Sequence, residues 1–230
     1  MSNIFSLLSF ADVVALSFFL FSWLAFEFLN DYSSFSKHGT GGLMAEKRRE
    51  WMLVLAERDL RMVDTSIMAG LMQGTAFFAS ASILAIGGCF ALLGSIDDII
   101  KIYNDLPVAR EMNRELLEIK VLGLTAIFVY TFFKFGWCFR LFNYCSILIG
   151  AVPQCDKADL ETRQKKALIA AEMNITAGKH FTAGLRGIFQ ALAFLGWFIG
   201  PGAFLISTIL VLLVLIRRQY FSRARAILMD

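Results

Sequence analysis

Long apolar runs alternate with polar stretches along this chain, and the runs are too long for ordinary soluble helices. The most extreme covers residues 121–153, VLGLTAIFVYTFFKFGWCFRLFNYCSILIGAVP, with Lys134 and Arg140 inside it. A run of about eighteen or more apolar residues reads as a membrane span, because about 20 residues rising 1.5 Å each cross a hydrocarbon core of about 30 Å. A helix of about 50 Å is too long for that core, so the run either protrudes as a rod or breaks near Asn143 and Tyr144. The pattern predicts a span over 121–143 with a helical extension to 151, stopped by Pro153.

Three further runs read as spans. The first, 7–29, has Asp12 and Glu27 near opposite ends, where each either reaches the headgroups or turns inward to a basic residue of another helix. The second, 66–93, carries Gly70 and Gly74 at a spacing that permits close helix contact. The last lies within 182–216, with the span itself at 188–216. Gly187 and Ala191 make a small-residue face there, and Pro201 between two glycines predicts a kink or hinge.

The polar stretches fall between these runs. Residues 30–42 are glycine-broken loop, and 43–65 predict a charged amphipathic helix that cannot span. Residues 94–120 form a polar connection interrupted by Pro107. A second amphipathic helix is predicted over 158–177, with Asp156 able to cap it and Gly178 to end it. The fold expected is all-α: a single polytopic membrane domain over 1–230, with about four long transmembrane helices and amphipathic cytoplasmic helices.

Composition agrees with that class. Hydrophobic residues make up 57% of the 230 and charged residues 18%, against a soluble norm of about 45–50% and about 25%. A net charge of +3 spread over several loops gives nucleic-acid binding nothing to rest on. The first six residues contain no Lys or Arg, so the first run is expected to be retained rather than cleaved as a signal peptide. The first and third connections together hold twelve Lys/Arg, against eight in the middle connection and the tail. By the positive-inside rule the first and third connections are then cytoplasmic and both termini lie on the opposite side of the cell inner membrane.

Lys134 is the strongest candidate for function. It lies about 21 Å along a helix from Lys120, and Tyr130 is one turn before it. It attracts an anion in a cavity between helices, forms an ion pair with Asp12 or Glu27, or is a boundary charge of a shifted span. Arg140 has Asn143 and Tyr144 at i+3 and i+4, a compact polar cluster suited to a gate, a headgroup contact or a salt bridge. Lys134 and Arg140 are rotated by about 120° around the helix, so they need not line one wall. His38 and His180 share the expected cytoplasmic side without a third ligand at metal spacing, and the four cysteines form no C-x-x-C pair. No nucleophile elbow, phosphate loop, dinucleotide fingerprint or zinc-protease motif is present. Neither catalytic, cofactor nor metal residues are expected, and the protein is not expected to be an enzyme.

The stretch FFKFGWCFRLFNYCSILIGAVP at 132–153 resembles the signature region of the bacterial and plant membrane proteins catalogued as domain of unknown function 599. FFASASILAIGGCFALLG at 77–94 and GLRGIFQALAFLGWFIGPGAF at 184–204 are similar to its other membrane segments. The resemblance implies a helical membrane protein in which the FFKF and FRLFNY elements matter, and carries no activity with it.

Three classes of function follow. The first is an oligomeric channel or transporter for a small solute or ion, anionic if Lys134 and Arg140 condition the path. Four spans are few for a complete pore, so homo-oligomers sealed by small-residue faces are expected. The second is a structural or regulatory protein that recruits a cytoplasmic protein partner. The third is a protein that binds membrane lipids through its basic residues.

Overall fold

A computed structural model describes residues 8–31, 39–104 and 113–229. Among them the chain forms eight helices: α1 (Phe10–Asp31), α2 (Thr40–Ala56), α3 (Met62–Gly94), α4 (Ile96–Asn104), α5 (Arg114–Gly150), α6 (Leu160–Ile199), α7 (Pro201–Tyr220) and α8 (Arg223–Met229). Five are long and apolar enough to cross a membrane: α1, α3, α5, α6 and the segment that begins with α7. The chain is an all-α polytopic membrane protein.

The frame is the antiparallel pair α5 and α6, which run about 56 Å and 60 Å. Their register is set by small residues under large ones. A Cβ on Gly184 would stand 2.7 Å from the Phe135 ring, and one on Gly123 would stand 2.6 Å from the Phe194 ring. Gly187 sits directly against Thr131, and Ala191 is buried. Helix α3 lies along α5, with Phe78 stacked on Phe135 at 5.4 Å and Thr75 beside Cys138. Helices α1 and α7 cover the other half, where Phe19 meets Phe194 and Phe204.

A slab of about 30 Å matches the α5 segment from Lys120 to Arg140 and the α6 segment from Lys179 to Ile199, 21 residues each. The pair therefore extends well past one face, and there α2 packs against α6. At this end Asp59 accepts the Cys155 amide at 3.0 Å, Arg163 donates to the Ala56 carbonyl at 2.6 Å, and Arg61 donates to the carbonyls of Ile149, Val152 and Pro153.

The fourth expected span resolves into two helices. Pro201 is the first residue of α7 rather than a hinge inside one helix, and Gly200 turns the chain with φ +156°. Proline loses nothing at that position, because the first N–H of a helix has no partner within the helix. The chain reverses completely: Ser207 donates to the Ala193 carbonyl at 2.6 Å and Trp197 stacks on Phe204 at 5.5 Å. Five crossings replace about four, so Phe10 and Tyr220 lie at opposite ends of the bundle. The expectation of both termini on one side rested on the even count.

Other boundaries move as well. The polar helix predicted at 158–177 is the first half of α6, which continues through Gly178 into the membrane. Gly178 makes room for a neighbour, since a Cβ there would lie 3.1 Å from Arg48 Cζ. The cap is Asp159 rather than Asp156, its carboxylate accepting the Thr162 amide at 3.2 Å. The charged helix of 43–65 ends at Ala56, and the next helix begins at Met62 rather than Ser66. Helix α5 continues unbroken past Asn143 and Tyr144 as a protruding rod.

Candidate functional site

Within the bundle, polar side chains gather at two levels. At the end where α1 begins, Asp12 accepts the Trp197 indole N–H at 2.7 Å and the Ser9 hydroxyl at 2.6 Å. Lys120, 3% exposed, stands over the Trp197 ring at 5.6 Å. Toward the other end, the Arg186 guanidinium donates to Glu27 at 3.1 Å and the Tyr130 hydroxyl donates to the same carboxylate at 3.2 Å. Asp12 and Glu27 thus turn inward rather than toward headgroups.

The Lys134 ammonium lies over the Tyr130 ring at 5.2 Å, so Lys134, Tyr130, Glu27 and Arg186 make one connected polar group across α5, α1 and α6. Among the described residues the ion-pair partner of Glu27 is Arg186 rather than Lys134. Arg140 lies elsewhere, on the exposed outer face of α5. Its Nε donates to the Tyr144 hydroxyl at 2.6 Å, and its guanidinium stacks over Trp137 and Tyr144. Asn143 is exposed beside them. Trp, Tyr and Arg together at one level suit a membrane–water interface. Lys134 and Arg140 do not line a common path.

Below Arg186 a cavity of about 720 Å³ opens between the start of α2, the middle of α6 and the far ends of α1 and α7. Arg186 forms its inner wall, and Arg48, Arg49 and Lys179 contribute three more cations against Glu46 and Glu172. Arg49 donates to both carboxylates, at 2.6 Å and 2.7 Å, and its hydrogen bond to Glu172 leads the causes that raise its pKa. Arg48 and Lys179 make no ion pair among the described residues. Burial pulls the Arg48 pKa down from its ordinary value, and its guanidinium donates to the Asn174 backbone carbonyl at 3.3 Å and to the Asn174 side-chain oxygen. An arginine remains charged in such a place. Counting Glu27, the described side chains here are four cations against three carboxylates, which leaves a net charge of +1.

The start of α2 adds donors. It reads Gly39-Thr40-Gly41-Gly42, no side chain caps it, and its first turn has no acidic residue. Uncapped amides at a helix start carry a partial positive charge and favour anions. Gly39 is also held close to the end of α7: the Thr40 hydroxyl donates to Gln219 at 3.1 Å, and a Cβ on Gly39 would run into the Gln219 amide.

Of the residues expected from the sequence, Glu27, Tyr130 and Lys134 meet behind the cavity, Asp12 lies at the opposite end, and Arg140, Asn143 and Tyr144 lie outside. Gly187 lies against Thr131, and Ala191 is buried. Gly70 and Gly74 face open space within the chain. Arg186, Arg48 and Lys179 escaped the sequence reading, although Arg186 between Gly184 and Gly187 in an apolar stretch was a signal of burial. His38 lies outside the described residues, and His180 is half-buried. Among the described residues no three His, Cys, Asp or Glu side chains gather as a metal site.

Fold and cavity together define the class: a helical membrane protein whose charged protruding end holds a basic vestibule. The model of the family described as Protein of unknown function, DUF599, matches residues 14–224, and the chain belongs to that family. No curated protein and no solved structure matches the chain.

Proposed function

We propose that the protein is a channel or transporter for a small anionic solute, which enters through the vestibule at its basic end. The observation that carries this reading is the net positive wall of a 720 Å³ cavity, where neither Arg48 nor Lys179 has an ion-pair partner among the described residues and Arg186, paired with Glu27, closes the inner end. An anion in the cavity restores the missing charge, and α2 supplies backbone donors with it. Passage beyond the cavity requires Arg186 to exchange Glu27 for the incoming anion, or subunits to assemble around an axis. Helix α3 offers its exposed glycine face for such a homo-oligomer. No enzymatic step belongs to this reading.

Orientation follows from the same end. Among the described residues it holds Lys47, Arg48, Arg49, Arg58 and Arg61, then those from Lys157 to Lys179, then the four arginines from Arg217 to Arg225; the opposite end holds Lys101, Arg114 and Lys120. The basic end is then cytoplasmic in the cell inner membrane, with the N-terminus outside and the C-terminus inside. The tail, which argued against the positive-inside rule under four spans, agrees with it under five.

The test is anion flux into proteoliposomes, comparing the natural protein with Arg48→Gln/Lys179→Gln protein that elutes identically on gel filtration. Flux should fall by about tenfold or more in the variant. Flux equal to that of empty vesicles over a broad anion panel would remove the transport reading. A C-terminal reporter active only outside the cytoplasm would reverse the orientation.

A further inference from the structure

The vestibule has a neighbour. An apolar groove of about 470 Å³ runs between α1 and α7, lined by Phe18, Phe21, Ala25, Leu29, Leu212 and Ile216. Asn30 borders both spaces, and Tyr220 donates to Asn30 at 3.1 Å where they meet. From Leu29 to Phe18 the groove climbs about 16 Å, half of a hydrocarbon core of about 30 Å, which is the depth of one leaflet. It starts at the level of the cations and ends near the middle of the slab.

Each space answers half of one molecule. A basic cavity at headgroup level, joined at a polar residue to an apolar groove one leaflet deep, has the charge and the geometry of an anionic phospholipid. A small free anion would satisfy the cavity and leave the groove unused. A zwitterionic lipid would satisfy the groove but would leave the net positive charge of the cavity wall uncompensated.

We infer that the vestibule and the α1–α7 groove together form a binding site for an anionic phospholipid of the leaflet at the basic end. The phosphate lies against Arg48, Lys179 and the amides of Thr40 and Gly41, and one acyl chain lies along Ala25 and Leu212. This rests on the reading of the cavity as an anion site and names its ligand class. The Glu27–Arg186 pair then forms the floor beneath the headgroup. Exchange of lipid between bilayer and site proceeds sideways past Tyr220, so the ligand reaches the cations without crossing water.

The experiment uses the full chain in nanodiscs of phosphatidylcholine containing a minority of phosphatidylglycerol, followed by native mass spectrometry of retained lipid. Inorganic phosphate binding to the detergent-solubilised protein is measured alongside. Arg48→Gln/Lys179→Gln tests the cavity; Ala25→Trp and, independently, Leu212→Trp fill the groove from its two walls. Both positions face the groove rather than the bundle interior, and gel filtration and circular dichroism verify each fold. The natural protein should retain phosphatidylglycerol over phosphatidylcholine by about tenfold. Each groove variant should lose that retention by a similar factor while binding inorganic phosphate normally, and the cavity variant should lose both. Phosphatidylglycerol retention unchanged in both groove variants, with phosphate binding lost only in the cavity variant, would overturn the lipid assignment and leave the anion cavity standing. Lipid and phosphate binding both indifferent to Arg48→Gln/Lys179→Gln would overturn the two together.

Discussion

The α5–α6 pair is packed in two different ways along its length. In the half covered by α1 and α7, large rings meet: Phe19, Phe194, Trp197 and Phe204 are all buried and in mutual contact. In the protruding half, the buried face of α6 is Ala167, Ala170, Ala171 and Ala177 against Cys145 and Met52. Helices come close there, and arginines reach across to the carbonyls at helix ends. Among lipid tails there is little to gain from burying apolar surface, so shape and rings hold helices together. Beyond the slab, water makes alanine burial favourable and also permits charged groups to satisfy the open carbonyls of α2 and α5. The vestibule lies where one mode gives way to the other, which is why it has both a net positive wall and an apolar neighbour.

The largest effect is expected where the aromatic half contains a charge. Arg186, 5% exposed, and Glu27 form an ion pair within that half. Replacing Arg186 by Leu leaves the half-buried Glu27 carboxylate with the Tyr130 hydroxyl but without its cation, and should destabilise by up to about 3 kcal/mol. The double variant Glu27→Gln/Arg186→Gln should recover a large part of the loss. Thermal unfolding in lipid nanodiscs reads both, and single variants as stable as the natural protein would mean that water reaches the pair freely.

A smaller and more local effect belongs to the protruding half. Arg61→Ala removes donors to three carbonyls around the end of α5 and leaves Ile149 and Val152, both buried, with carbonyls less well satisfied. Bonds from a charged donor contribute about 1.5–3 kcal/mol each at most, so a loss of about 2 kcal/mol is reasonable. Hydrogen exchange should quicken in α2 and the beginning of α6 while α1 and α7 stay protected. A uniform change along the whole bundle would show that the two halves unfold as one unit.

How much of this could be read from the chain depends on the kind of signal. Runs of apolar residues declare spans directly, so α1, α3 and α5 fell close to their expected places, and FFKF with its flanks already resembled the right family. Reversal at Gly200 could not be told from a kink, because Pro201 between glycines serves both; the difference lies in whether Ser207 and Phe204 find Ala193 and Trp197, which is a tertiary fact. Gly178 looked like a helix end for a similar reason. Glycine is equally suited to a C-cap and to the close approach of Arg48, and only the neighbour decides. Arg186 counts with the third connection in the charge tally although it lies inside the apolar segment 182–216, just before the span expected from 188. Lys134 stood out by its apolar surroundings, but its Tyr130 contact and the allocation of Glu27 to Arg186 depend on α1 and α6 being side by side.

Glycines sharpen the comparison further. At Gly184 an added side chain meets the Phe135 ring, in the region where the two packing modes join, so Gly184→Val should cost about 1–3 kcal/mol through overpacking. At Gly74 a Cβ meets nothing within 4 Å. Gly74→Val should leave the unfolding temperature of a single chain unchanged while lowering the mass of any complex that assembles through α3. Mass photometry in lipid nanodiscs separates the two outcomes. A destabilised monomer from Gly74→Val would mean that α3 packs more closely on its own bundle than the open face indicates.

The smallest effect concerns acid at the protruding end. Hydrogen bonds from the Cys155 amide and side chain hold the Asp59 carboxyl below its ordinary pKa. A carboxylate with a depressed folded pKa contributes stability that is complete above its unfolded value, about 3.9, and is lost as pH falls through the folded one. The contact between the α2–α3 turn and the segment before α6 should therefore loosen only below about pH 4. The same hydrogen bond works in the opposite direction on its partner: Asp59 favours the neutral thiol and raises the Cys155 pKa. Cys155 should then alkylate with an inflection above about 8.5, the value for a free thiol, and Asp59→Asn should bring that inflection down. Buried Cys138 and Cys145 should stay unreactive over the same range, since the reagent does not reach them. An inflection for Cys155 that does not move in Asp59→Asn would detach the two residues, and with them the acid sensitivity assigned to this end of the bundle.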